Sequence, residues 1–240
     1  MKPERLDKIL AAQSTASRSD IKALVRTGAV AVNGVVVKAA DTKIDIAKDI
    51  VTLRGEPLKL LRHSYIMLNK PAGVVSATRD ANEKTVIDLV PESLLRDGLF
   101  PAGRLDKDTT GFVLITDDGV FAHKILSPKN HVPKTYIAQL SSPIDDELIA
   151  QFEEGFALDL HTSTKPAKVR VLPQGNGSVA EVVLTEGMYH QIKRMFEHFG
   201  RTVLQLRRIR IGQLFLDEAL SPGECRLLTE DELAQITKIF

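Results

Sequence analysis

Residues 102–119 constrain the fold more than any other stretch. They read Ala-Gly-Arg-Leu-Asp-Lys-Asp-Thr-Thr-Gly-Phe-Val-Leu-Ile-Thr-Asp-Asp-Gly. Gly103 and Gly111 bracket a segment too polar and too rich in turn formers for a helix or strand interior. Phe112 to Ile115 form a short apolar run that predicts a buried strand, and Asp117, Asp118 and Gly119 end it in a tight turn. A polar loop is thereby anchored to a rigid strand, which is a good way to position reactive groups. Arg104, Asp106, Lys107 and Asp108 share that loop. A carboxylate among cations stays ionised at neutral pH. Asp106 is therefore a candidate nucleophile, metal ligand or half of an ion pair, and a turn-capping role competes with all three.

The rest of the chain sets bounds on function. At 240 residues it can bury a real core in one or two domains. No apolar run is long enough to cross a membrane, and the first residues lack the apolar stretch of a signal peptide. The single cysteine, Cys225, cannot form an internal disulfide, which fits a reducing cytoplasm. Net charge is only +1, but it is unevenly spread. Residues 1–62 carry 12 Lys/Arg and 7 Asp/Glu, whereas the remainder carries 20 and 24. A basic module joined to a mildly acidic one suits a polyanion-binding appendage.

That basic module reads as α+β. Leu6, Ile9 and Leu10 have helical spacing. Ser17 is a predicted N-cap for a second helix, with Asp20 in the capping-box position. Ile21, Leu24 and Val25 give that helix an apolar stripe, beside which Arg18, Lys22 and Arg26 recur every four residues. Gly28 ends it, and Asn33-Gly34 between two short apolar runs predicts a hairpin. This order resembles the S4 RNA-binding domain, which implies RNA contacts for Arg18, Lys22 and Arg26. Arg54 to Ser64 reads as a linker, so the expected domains are 1–60 and 61–240.

Beyond it, Tyr65 to Leu68 predicts a strand running into Asn69-Lys70-Pro71-Ala72-Gly73, and Thr85 to Leu89 a short helix. Val120 to Leu126 predicts a helix, followed by a loop between Pro128 and Pro133 that carries Lys129 and His131. Lys134 to Leu140 alternates like a half-buried strand. An acidic helix over 144–154 and strands over 168–172 and 179–185 follow. Ile192, Met195, Phe196 and Phe199 then mark one buried helix face, leaving Lys193 and Arg194 off it. Lys193 either pairs with Glu197 one turn on or serves a site. Arg207, Arg208 and Arg210 lie on a strand, and residues 193–210 hold six Lys/Arg against one acid, a density that suits a phosphate backbone.

Gly103-Arg104-Leu105-Asp106 followed by Thr109-Thr110-Gly111 resembles the catalytic loop of pseudouridine synthases. Lys70-Pro71-Ala72-Gly73 resembles the turn after their first strand. Lys134-Thr135-Tyr136 resembles their second motif, and His190-Gln191-Ile192-Lys193-Arg194-Met195 their third. The match is strongest to the branch acting on 16S rRNA, where uridine 516 is the usual target. The resemblance implies an α+β catalytic domain with a mixed, largely antiparallel sheet crossed by an RNA cleft. It implies Asp106 as the catalytic carboxylate, Tyr136 at the active site and Lys193 as the positive partner of Asp106. Arg104 would occupy the space left by a flipped uridine, with Arg194, Arg207, Arg208 and Arg210 on the RNA path. Met188, where Arg is frequent, and Lys193, where many relatives carry Arg, are conservative departures.

The implied reaction detaches uracil from C1′ and rejoins it through C5. No group is added and no electrons are transferred, so neither cofactor nor metal is expected. The expected partner is 16S rRNA or a small-subunit assembly intermediate, met by a monomer. Two other readings compete. Asp106-Lys107-Asp108-Thr109-Thr110 fits the Asp-x-Asp-x-Thr pattern of magnesium-dependent phosphatases, although Phe100-Pro101-Ala102-Gly103-Arg104 is a poor match for the apolar strand that precedes that pattern. A catalytically silent RNA-binding or assembly factor would not need Asp106, Tyr136 and Lys193 together.

Overall fold

The computed structural model describes residues 3–127, 129–130 and 132–237, so Pro128 and His131 of the predicted loop lie outside the described residues. The chain forms two compact units. One takes the residues up to Ser64 together with Val90–Leu99, and the other takes Tyr65–Leu89 and the chain from Phe100 onward.

The first unit is built on two helices and a four-stranded sheet. Leu6–Ala12 buries Leu6, Ile9 and Leu10. Ser17 caps Arg18–Arg26 through a full capping box: its hydroxyl accepts from the Asp20 amide at 3.2 Å, and the Asp20 carboxylate accepts from the Ser17 amide at 3.1 Å. Ile21 and Val25 turn inward, so Arg18, Lys22 and Arg26 are left exposed. The sheet runs in the order Val35–Val36, Val30–Val32, Val51–Leu53, Glu56–Pro57. Asn33 and Gly34, at φ 52° and 81°, make the predicted two-residue turn.

The expected linker is shorter than Arg54–Ser64. Arg54 and Gly55 repeat the same turn at φ 52° and 89°, and Glu56–Pro57 pairs with Val51–Leu53 as the edge strand. Leu58 and Leu60 then pack on the core of this unit. The Arg in the left-handed position hid the hairpin, and Pro57 is tolerated because an edge strand need not donate on its outer side.

The exposed basic stripe leads to a measurable expectation. Phosphate contacts position a protein without specifying sequence. Replacing Arg18, Lys22 and Arg26 with Gln should flatten the salt dependence of RNA binding, by about 0.7 in the slope of log K for each single-stranded phosphate that is no longer neutralised. A filter-binding series in KCl reads this directly, and an unchanged slope would make the stripe an ordinary solvated face.

The second unit is organised by one mixed sheet. Seven strands lie in the order Lys168–Val171, Val179–Leu184, Lys134–Leu140, Val203–Ile211, Thr110–Thr116, Tyr65–Lys70, Cys225–Leu227. Val203–Ile211 and Thr110–Thr116 pair in parallel, and the other neighbours in this order are antiparallel. Gly111 sits at φ 98° where these two strands meet, and a Cβ there would lie 2.2 Å from the Arg208 carbonyl oxygen. Only glycine fits that approach.

Met67, Phe112 and Leu114 from the sheet pack with Ala122 and Ile125 of the Gly119–Leu126 helix and with Ile236 of the last helix, Glu230–Thr237. Asp118 starts the Gly119–Leu126 helix by accepting from the Phe121 amide at 2.9 Å, and it also accepts from the Tyr65 hydroxyl at 2.6 Å. Ile192, Met195 and Phe196 bury the predicted face of the Gln191–His198 helix, and the Phe196 ring lies 4.9 Å from that of Phe152. The helix expected at Thr85–Leu89 is a single tight turn, Ile87–Leu89. Among the described residues, no helix is long and apolar enough to cross a membrane.

Candidate active site

Asp106 is held by its backbone. Lys70, the last residue of its strand, is completely buried. Its ammonium donates to the carbonyl of Thr109 at 2.8 Å and to those of Pro71, Asp106 and Lys107 at 3.1 Å. Ser76 adds a reciprocal pair with the Leu105 backbone, both at 3.0 Å. The carbonyls of Asp106 and of two residues that follow it thus converge on one cation, and Ser76 holds the residue before it. Burial pushes the Lys70 ammonium down to about 8, against the opposing pull of Asp108 and Asp106.

The Asp106 side chain meets the start of the Gln191–His198 helix. Lys193 Nζ lies 3.3 Å from Asp106 Oδ2 and 2.6 Å from Asp108 Oδ1. Lys193 therefore reaches across to the loop, to two carboxylates, with Asp108 the nearer. Burial works against its charge, but the bond to Asp108 and the charges of Asp106 and Asp108 outweigh it and raise its pKa. The same hydrogen bond holds the Asp108 carboxyl below its ordinary range, against the effect of burial. His190 approaches the other oxygen, its Nε2 3.5 Å from Asp106 Oδ1. It caps the helix in the left-handed conformation, φ 49° and ψ 33°. Gln191 braces this turn by accepting from the Met188 amide at 3.0 Å and donating to Glu186 at 2.7 Å.

Two depressions flank the carboxylate. A cleft of about 60 Å³ is lined by Arg104, Asp106, Tyr136, His190 and Leu206. A wider groove of about 440 Å³ runs past Gly73, Asp106, Asp108 and Lys193. Tyr136, on the Lys134–Leu140 strand, is 9 % exposed and lines the cleft. The arrangement is an aspartate with both oxygens near cationic or ionisable nitrogen groups, next to an aromatic wall.

A family model for RNA pseudouridylate synthases matches residues 64–198, and an S4 domain model matches residues 4–51. The chain belongs to the RNA pseudouridylate synthase family. It is 46% identical over 230 residues to an uncharacterised RNA pseudouridine synthase of Bacillus subtilis, covering 95% of this chain and 96% of that one. It is 42% identical over 237 residues to the ribosomal small subunit pseudouridine synthase A of Escherichia coli, covering 97% and 99% of the two chains. A crystal structure of a pseudouridylate synthase is similar with a TM-score of 0.67 and 38% identity, covering 97% of this chain and 99% of that one.

Within this pseudouridine synthase the basic residues of the sequence divide into distinct groups. Arg104 is exposed at the cleft and Arg207 is exposed on its strand. Arg208 is buried rather than exposed. It is 2 % exposed, and its Nε donates to the Phe112 carbonyl at 2.7 Å. Its Nη1 lies 3.5 Å from the Tyr136 hydroxyl, and its guanidinium lies 5.9 Å from that ring. Strand alternation is the cause: Arg208 is the cross-strand partner of Tyr136 and shares its face.

Arg210, half-buried, donates from Nε to the Thr135 hydroxyl at 3.0 Å and covers the Phe215 ring at 5.0 Å. Thr135 precedes Tyr136, so this arginine lies on the opposite face of the sheet from the cleft. Arg194 is tied to Asp159 at 2.6 Å. Sequence reasoning missed Lys70 and His190 as site residues. Lys70 had a readable signal, a lysine ending an apolar strand just before Pro71, but His190 owes its place to a left-handed backbone that no local pattern foretells.

Proposed function

We propose that this synthase converts one uridine of 16S rRNA, at the position known as uridine 516, to pseudouridine, with Asp106 as the catalytic carboxylate. The observation that carries the assignment to Asp106 is its loop, clamped by Lys70 and aimed at Lys193 beside the Tyr136 cleft. The choice of small-subunit rRNA rests on the 42% identity over nearly full length to the small-subunit enzyme of Escherichia coli. Such a substrate, as free RNA or in an assembly intermediate, belongs to the cytoplasm.

The target uridine leaves its stack to reach the carboxylate, and Arg104 enters the space it vacates. Asp106 forms and releases a covalent intermediate. The N1–C1′ bond breaks, the uracil rotates, and a C5–C1′ bond forms. The C5 proton leaves to solvent and N1 gains one. Tyr136 supports the free uracil, and Lys193 sets a positive charge 3.3 Å from the Asp106 carboxylate.

The test is release of tritium from small-subunit rRNA labelled at uridine C5, pre-folded in polyamine with and without EDTA. Release in both conditions is expected. No release would favour a silent RNA-binding factor, and strict dependence on a divalent ion would favour metal chemistry.

A second expectation concerns Lys193. Its partners are 26% and 73% exposed, so Lys193→Met should change stability by less than about 1 kcal/mol. Turnover should fall about 10- to 100-fold, since the variant removes an electrostatic interaction of a few kcal/mol with the reacting group. Lys193→Arg should keep more activity. Equal rates for wild type and Lys193→Met would reduce this lysine to a surface ion pair.

A further inference from the structure

We propose that Tyr189 and His190 together form a stacking platform for a nucleobase next to the target uridine, which would make this turn a binding subsite for the flanking single strand. The inference rests on RNA being drawn over Asp106 as proposed above.

Tyr189 is 76% exposed, although it is a large aromatic residue. An isolated surface aromatic needs no explanation. This one is not isolated. Its ring lies flat on the His190 imidazole, with centroids 3.8 Å apart and planes 16° from parallel. His190 in turn lies 3.5 Å from Asp106 Oδ1. A short ladder of two rings thus leads outward from the reacting carboxylate.

The backbone is committed to this placement. A non-glycine residue in the left-handed region is held at a cost and persists where the surroundings impose it. Here the Gln191 side chain fixes the turn through Met188 and Glu186. One face of the Tyr189 ring is occupied by His190, and the residue is otherwise largely open to solvent. The inner ring, His190, lines one cleft with Arg104 and a second groove with Lys193. An exposed aromatic face stacked on it matches what single-stranded RNA offers, a base face next to phosphates. Stacking of this kind tolerates any base, so the platform would fix the neighbouring nucleotide without reading its identity.

The chain has no tryptophan, so Tyr189→Trp introduces a single indole reporter. Adding unmodified small-subunit rRNA should quench its emission and shield it from acrylamide. Tyr189→Ala should bind that RNA about tenfold more weakly and raise KM by a similar factor. Its Tm should match wild type because the ring is exposed, and Tyr189→Phe should restore affinity. An indole that stays open to acrylamide with RNA present, or wild-type affinity in Tyr189→Ala, would overturn the proposal. The fluorescence and binding readouts do not depend on turnover. A failure of the catalytic reading would instead show as absent tritium release by wild type.

Discussion

Asp106→Asn is expected to fold, to bind rRNA as wild type does, and to lose at least about 10⁴-fold in turnover, the scale seen when a group acting as part of a catalytic unit is removed. The bonds that position the residue run to its backbone carbonyl and to those of Lys107 and Thr109, so an amide side chain leaves them in place. Lys193 retains Asp108 at 2.6 Å. The ion pair that is lost is partly exposed, and its removal should change stability by no more than about 1 kcal/mol. An amide of the same shape is a far weaker nucleophile than a carboxylate and lacks the charge that Lys193 and His190 face. Unchanged melting and RNA affinity with no tritium release would separate chemistry from binding. Substantial release would remove Asp106 from its role.

Lys70→Met should harm both stability and rate, in contrast. Methionine keeps most of the volume of the stem but leaves the carbonyls of Pro71, Asp106, Lys107 and Thr109 without their shared donor. The Asp106 and Lys107 carbonyls keep backbone donors, the Thr109 amide at 3.1 Å and the Gly73 amide at 2.8 Å. Losing the donor to the Pro71 and Thr109 carbonyls costs about 1–3 kcal/mol each, offset in part by relief of the buried charge, so a net loss of about 2–4 kcal/mol is expected. Once the loop relaxes, a displacement of about 1 Å at Asp106 is enough to cost on the order of 100-fold in rate.

The pH dependence gives an independent check. The folded-state value of Lys70, about 8, lies below its ordinary 10.5. Between these values the unfolded chain binds more protons than the folded one, so this group makes stability rise with pH across that window. Urea unfolding from pH 8 to pH 10 should show that rise in wild type and less of it in Lys70→Met. Identical slopes would mean that Lys70 is not the buried ammonium described here.

Much of this architecture can be read from local chemistry. Ser17 with Asp20 announces a capped helix, Asn33-Gly34 a hairpin, and Phe112–Ile115 a buried strand, because each depends only on neighbouring residues. Asp106, Tyr136 and Lys193 are legible through motifs, although nothing in their spacing shows that Lys193 spans both Asp106 and Asp108. What stays hidden depends on which way a side chain turns. Arg207, Arg208 and Arg210 look alike in sequence, yet one is exposed, one lies beside Tyr136 and one lies on the far face. Local pattern likewise cannot show that Val90–Leu99 belongs with the first unit, since that follows from packing between distant segments.

The most direct measurement is nucleotide-resolution mapping of pseudouridine in 16S rRNA from cells lacking this protein. Loss of pseudouridine at uridine 516 alone is expected, restored by the wild-type chain and not by Asp106→Asn. Retention of every 16S pseudouridine in those cells, or restoration by Asp106→Asn, would contradict the assignment.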